Sequence, residues 1–69
     1  MSWNTLHPTI RQTAERVLTE KQLDAYKHWE NGLGYGRIAT LLGISPSSAR
    51  DRVHRALSAI ERHLERDAA

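Results

Sequence analysis

Apolar residues recur along this chain at the spacing of α-helices, and no segment shows the alternation typical of a β-strand. The first apolar stripe starts after Thr9, and the second ends at an Asn-Gly pair, which is a typical helix stop. Thr9 and Thr19 each precede a glutamine by three residues, which is the spacing of a capping box. The pattern predicts helices over about 9–18 and 20–31, with each threonine as a cap.

The second half of the chain predicts a short helix followed by a long one. A short apolar cluster over about 35–42 ends at Gly43, which suits a left-handed corner. Ser45 and Pro46 then have the order of an N-cap and a first helical residue, so a helix of about 30 Å is predicted over 46–66. The residues predicted to face inward are Ile38, Ala39, Leu41 and Leu42 on the short helix and Ala49, Val53, Ala56, Leu57, Ile60 and Leu64 on the long one.

These elements predict an all-α fold, a small four-helix domain over 9–66 after a flexible tail over 1–8. The short helix, the three-residue turn and the long helix have the outline of a helix-turn-helix, with the long C-terminal helix as the recognition helix in the DNA major groove. Ala39 is small where helices must approach closely. We therefore interpret Ala39, Gly43 and Ile44 as structural residues.

Length and composition limit the chain to one small hydrophobic core. It has 69 residues, 39% of them hydrophobic, and no cysteine for a disulfide or a thiolate metal site. No apolar run is long enough to cross a bilayer, and the first residues lack the layout of a signal peptide. The sequence therefore predicts a cytoplasmic protein with no membrane partner.

Positive charge is concentrated around the predicted turn. The formal net charge is +2, but residues 37–55 alone hold four arginines against Asp51, a local sum of +3. A basic patch confined to the presumed reading unit is what the neutralisation of DNA phosphates requires. The alternative interpretation is a solvated arginine face, and the coincidence of the patch with the turn favours DNA contact.

The inward-facing residues of the last helix form an apolar arc around its axis. The start of this helix presents polar residues on the side opposite to that arc. Small hydroxyls there allow close approach to base edges, and Arg55 can bind guanine at two points or meet a phosphate. Arg50 and Arg52 flank the apolar arc and are, with Arg37, phosphate candidates. The predicted DNA-binding residues are Arg37, Ser45, Ser47, Ser48, Arg50, Asp51, Arg52, His54 and Arg55.

Three residues keep two interpretations each. Asp51 could accept a hydrogen bond from a cytosine amino group, or pair with a neighbouring arginine and aim it. His54 could meet a phosphate or be a neutral surface imidazole. Trp3 could cover the small core or anchor a partner.

Three segments resemble region 4 of the bacterial sigma-factor family, the promoter-reading helix-turn-helix domain. They are LTEKQ at 18–22, GLGYGRIATLLGIS at 32–45 and ARDRVHRALSAIERHL at 49–64, which includes an Arg-x-His-Arg-Ala pattern. The resemblance implies that Ser47, Ser48, Arg50, Asp51 and Arg55 face DNA and that a neighbouring surface touches RNA polymerase. The DNA-binding domain of quorum-sensing response regulators is similar but fits the last segment less well.

The chain departs from the sigma-factor pattern at the start of its third helix. Gly34 stands where the family has a Ser or Thr cap, and Gly36-Arg37 stand where it commonly has two acids. The surface is therefore more basic, which favours phosphate contact over a polymerase contact that needs the acids. The sequence also lacks the polymerase-binding and promoter-melting regions. It therefore resembles a stand-alone region 4-like regulator of the kind found in phages and mobile elements.

An enzyme is not predicted. The chain has no cysteine nucleophile, no glycine-rich phosphate loop before a helix, and no pair of histidines at the i, i+4 spacing of a metal site. No catalytic residue, metal, cofactor or small-molecule substrate is therefore expected.

The serious alternative to DNA binding is a protein-interaction module that binds RNA polymerase, a sigma factor or another regulator. A homodimer through Ile60 and Leu64 is a further hypothesis, and it would place paired half-sites about 34 Å apart on DNA. Neither the target sequence nor the direction of regulation follows from the residues.

Overall fold

The computed structural model describes the backbone of residues 2–68 and the side chains of residues 2–66. Within that range the chain contains four α-helices and no strand, so the prediction of an all-α fold is confirmed. The helices are α1 (Pro8–Val17), α2 (Glu20–Glu30), α3 (Tyr35–Leu42) and α4 (Pro46–Ala68), and a short 3-10 helix at Trp3–Thr5 precedes them. Each α-helix begins and ends close to its predicted bounds.

The long helix α4 is the centre of the fold, because α1, α2 and α3 each pack against it. Two clusters of buried side chains result. One joins α2, α3 and the first half of α4, and the other joins α1, α2 and the second half. Their members are Ala25, Ile38, Ala39, Ala49 and Val53 in the first and Ala14, Leu18, Tyr26, Ala56 and Ile60 in the second. The predicted inward face of α4 is confirmed from Ala49 to Ile60.

The two predicted capping boxes have different outcomes. At α2 the box is present: the Gln22 backbone N–H donates to Thr19 Oγ1 and the Thr19 N–H donates to Gln22 Oε1, both at 3.2 Å. At α1 the prediction is wrong, because the helix begins at Pro8 and the Thr9 N–H donates to His7 Nδ1 at 3.1 Å. Proline is favoured in the first helical turn, so α1 begins at Pro8 and its cap is His7, two positions before Thr9.

The first residues differ from the predicted flexible tail. Trp3 begins the 3-10 helix, and its backbone N–H donates to Asn31 Oδ1 at 2.8 Å. Its ring lies edge-on to Tyr26, with 6.0 Å between centroids, and Lys27 Nζ stands 5.1 Å from the Trp3 ring centroid. An aromatic pair and a cation–π contact each stabilise the fold beyond the contribution of the apolar surface that is buried. Trp3 is half-buried and packs against the core, so the interpretation that it covers the core is confirmed.

The apolar cluster predicted on α3 is only partly buried. Ile38 and Ala39 are in the core and Leu42 is half-buried, but Leu41 is 58% exposed. At 100° per residue, Leu41 lies about 110° away from the middle of the arc formed by the other three. A single short helix cannot turn all four side chains toward the core, so the burial predicted for Leu41 is wrong.

Tyr26 is a buried polar group with one specific partner. Its hydroxyl donates to Glu30 Oε2 at 2.6 Å, one turn along α2. Burial of the ring, and then the hydrogen bond and negative charge of Glu30, raise the pKa of Tyr26 well above its ordinary value. The phenol therefore stays protonated in the folded protein under conditions that ionise it in the unfolded chain.

This raised pKa predicts a loss of stability at alkaline pH. The free energy of unfolding should fall as the pH rises above about 10, because the unfolded chain then binds fewer protons at Tyr26 than the folded protein. In Tyr26→Phe this component is absent, so the fall should be shallower by up to about 1.4 kcal/mol per pH unit. Urea unfolding of the unchanged protein and of Tyr26→Phe at about pH 8 to 11 measures the difference between their free energies of unfolding. The contributions of the other titrating groups cancel in this difference. If the free energy of unfolding falls equally with pH in the unchanged protein and in Tyr26→Phe, the raised pKa of Tyr26 is contradicted.

Candidate nucleic-acid interface

The turn between α3 and α4 is fixed by one backbone conformation. Gly43 has φ 68° and ψ 37°, which is the left-handed region that L side chains rarely adopt. The Ile44 N–H donates to the Ala39 carbonyl oxygen at 3.0 Å, a bond that closes the end of α3. The predicted left-handed corner at Gly43 is therefore confirmed, and it sets the direction in which α4 leaves the turn.

Ser45 caps the start of α4, as predicted. Its Oγ accepts from the Ser48 N–H at 3.1 Å and donates to Ser48 Oγ at 2.9 Å. Both hydroxyls thus belong to one local network, in which Ser45 uses its proton. The proton of the Ser48 hydroxyl is left to donate outward, so Ser45 serves the helix and Ser48 remains able to contact a ligand.

The side chains predicted to contact DNA are almost all at the surface. Only Arg52 is half-buried, which agrees with an aliphatic stem that lies along the apolar arc. The exposed members are Arg37, Ser45, Ser47, Ser48, Arg50, Asp51, His54 and Arg55. No core packing uses these exposed side chains, so they are accessible to a partner.

Asp51 and Arg55 form an ion pair one turn apart on α4. Arg55 Nε lies 3.1 Å from Asp51 Oδ2, and the side chains are 70% and 58% exposed, respectively. An exposed i, i+4 pair adds little to stability, since water and salt screen it. Its structural effect is to hold the Arg55 guanidinium against the carboxylate. The pairing of Asp51 with a neighbouring arginine is therefore present in the free protein, and its contact with cytosine stays a prediction.

A groove separates the start of α3 from the start of α4. Its wall on α3 is Tyr35, whose ring lies 6.2 Å from the His54 ring at an angle of 64°. The groove is lined by Tyr35, Pro46, Ser47, Arg50, Asp51 and His54. Four of these are predicted DNA-binding residues, so the fold brings Ser47, Arg50, Asp51 and His54 together. We call it the first groove.

A second groove continues along α4 from His54. It is lined by Gln22 of α2 and by His54, Arg55, Ser58, Ala59 and Arg62 of α4. Arg37, Ser45, Ser48 and Arg52 line neither groove. The sequence does not predict three of the residues that line the grooves, namely Tyr35, Gln22 and Arg62. Apolar periodicity predicts α2, α3 and α4 one at a time, whereas the lining of each groove depends on how these helices cross.

The described part of the chain contains neither a cluster of metal-ligating side chains nor a membrane-spanning helix. No three His, Cys, Asp or Glu side chains among those residues are grouped so that they could hold a metal ion. Over the same residues, none of the helices combines the length and the apolar character that a bilayer crossing needs.

Comparison with protein-family models, with curated proteins and with solved structures finds no match to this chain.

Proposed function

We propose that this protein is a sequence-specific DNA-binding transcriptional regulator, in which α3, the Gly43 turn and α4 act as a helix-turn-helix. The observation that carries the proposal is the division of α4 into two sides. Ala49 and Val53 are fully buried, while Arg50, Asp51 and Arg55 between and after them are exposed. The start of α4 is thus held by the core and presents a polar, positively charged face outward.

This face has the chemistry that a major-groove reader needs. An α-helix fits the groove, which is about 12 Å wide and displays a distinct donor and acceptor pattern for each base pair. Ser47 is small enough for close approach, and Arg55 carries the planar fork that matches the acceptor edge of guanine. Arg37 and Arg52, at the sides of this segment, supply phosphate contacts that position the helix.

The resemblance to sigma-factor region 4 supports the same proposal. The segments that carry the resemblance form α3, the turn and most of α4, and the residues it places on DNA lie on the exposed face. In the free protein Asp51 accepts from Arg55 Nε, and we expect the paired guanidinium to enter the DNA major groove with the rest of this face. In the complex the pair would limit the orientations of Arg55 and sharpen its choice of base.

Arg55→Ala tests sequence reading directly. Selection of duplexes from a random library should enrich a defined site with the unchanged protein. The variant should bind that site more weakly by about 1–3 kcal/mol and lose preference at one or two adjacent positions. Equal weakening on all duplexes would make Arg55 a phosphate contact. Failure of the unchanged protein to enrich any sequence would contradict sequence-specific binding.

One observation favours a second candidate function, a protein-interaction module that binds RNA polymerase, a sigma factor or another regulator. Leu41 is the exposed large hydrophobic residue of the described chain, at 58%, and it lies on α3 beside the turn. Single exposed leucines are common, so the arginine face carries more weight. A homodimer remains a hypothesis. Of the two residues named for it, Ile60 is only 6% exposed within the monomer core and Leu64 is half-buried, so a two-fold contact would depend on Leu64 rather than on Ile60.

A further inference from the structure

The second groove carries hydrogen-bond donors with no acidic side chain in its lining. Ser58 and Arg62 lie on α4, and Gln22 lies opposite them on α2. Among the described residues Arg62 forms no salt bridge, although Glu61 and Glu65 are its neighbours on the helix. A donor set without a competing carboxylate suits an anionic ligand.

The capping box fixes which end of the Gln22 side chain is available. Gln22 Oε1 accepts from the Thr19 N–H at 3.2 Å, so the carbonyl end of the amide is turned to the start of α2. The amide nitrogen, with its two protons, is then the end left for a ligand. The same bond that stabilises α2 therefore orients a donor at the groove.

The position of Arg62 on α4 places it beyond the reading segment. It lies seven residues after Arg55, about 10 Å along the helix axis, and about 24 Å from Pro46. The major groove is only about 12 Å wide. A helix that enters it by its first turns therefore passes over the DNA backbone before Arg62, where each strand carries one charge per about 3.4 Å of axis.

We propose that the second groove is a phosphate subsite of the DNA-binding surface, in which Arg62, the Gln22 amide and the Ser58 hydroxyl hold a backbone phosphate outside the major groove. The proposal rests on the proposed function, because it assumes that the start of α4 occupies the groove. It extends the interface from α3 and the start of α4 to α2 and the second half of α4. This subsite anchors the helix and reads no base.

Three substitutions at two positions, Arg62 and Gln22, test the subsite without disturbing the core. Arg62→Ala should weaken binding to every duplex by a similar factor and lower the slope of log K against log salt by about 0.9, the value for one phosphate. Arg62→Lys should restore most of the slope, since a point charge suffices for phosphate. Gln22→Glu keeps an oxygen for the capping box but replaces the amide donor with a negative charge, so it should also weaken binding.

Arg16→Ala is the matched control, because Arg16 is exposed on α1 and lines neither groove. Fluorescence anisotropy at several salt concentrations measures all variants, with circular dichroism to confirm folding. An unchanged slope in Arg62→Ala, while Arg50→Ala weakens binding, would overturn the subsite and leave the proposed function intact. Equal losses of DNA affinity in Arg62→Ala and Arg16→Ala would overturn the subsite as well. No binding by the unchanged protein would overturn both proposals.

Discussion

Replacing Ile38 with alanine is expected to lower the free energy of unfolding by about 2–5 kcal/mol. Ile38 is fully buried, and it is the largest side chain in the cluster that joins α3 to α2 and α4. A domain of this size has few such contacts, and its total stability lies toward the low end of about 5–15 kcal/mol. The substitution should therefore unfold a large fraction of the protein or leave α3 detached. Thermal and urea unfolding followed by circular dichroism measures the loss.

Leu41→Ala is the matched control for this prediction. It removes a side chain of the same size from the same helix, but Leu41 is 58% exposed. An exposed substitution of this kind usually changes stability by no more than about 0.5 kcal/mol. Similar losses in the two variants would mean that α3 packs through a different face, and the orientation of the Gly43 turn and α4 would then need revision.

The triple variant Arg50→Ala, Arg52→Ala and Arg55→Ala is expected to lose measurable DNA binding near physiological salt. Each arginine that meets a phosphate contributes about 0.9 to the slope of log K against log salt, and the contribution to affinity grows as salt is lowered. Arg50 and Arg55 are exposed and Arg52 packs only its half-buried stem, so the variant should still fold, and circular dichroism checks this. Fluorescence anisotropy with a labelled random-sequence duplex at about 50 mM and 200 mM salt measures both affinity and slope.

A charge-matched variant separates a defined surface from a general effect of net charge. Arg16→Ala, Lys21→Ala and Arg66→Ala together also remove three positive charges from exposed positions, which changes the formal net charge from +2 to −1 in both triple variants. These three residues line neither groove. The control should keep most of the affinity. If both variants lose binding equally, the arginine face has no special role.

The helices could be predicted because their signals are local. Apolar periodicity and the order Ser45-Pro46 act within one or two turns, and the structure has the helices where those signals place them. Thr9 and Thr19 have the same capping spacing, but only Thr19 caps, since Pro8 starts α1 one residue before Thr9. Trp3 lies outside any periodic segment. Its contact with Tyr26 joins distant parts of the chain, and no local pattern predicts it.

The candidate site could be predicted in part for the same reason. The angle of each residue around α4 follows from the apolar arc, and it places Arg50, Asp51 and Arg55 on the exposed side. The grooves needed the tertiary structure, because Tyr35 and Gln22 reach α4 only through the crossing of α3 and α2 over it. The arginine that pairs with Asp51 likewise could not be identified without coordinates, since three arginines were within reach along the helix.

The most direct test of DNA binding through α4 is an NMR titration of the isotope-labelled protein with a short random-sequence duplex. Since phosphate contacts dominate non-specific binding, the experiment needs no knowledge of the target sequence. We expect the largest amide shift changes at residues 45–55 and near Tyr35, with the exposed side of α1 around Arg16 unchanged. No shift changes at low salt, or changes concentrated on α1, would contradict the account.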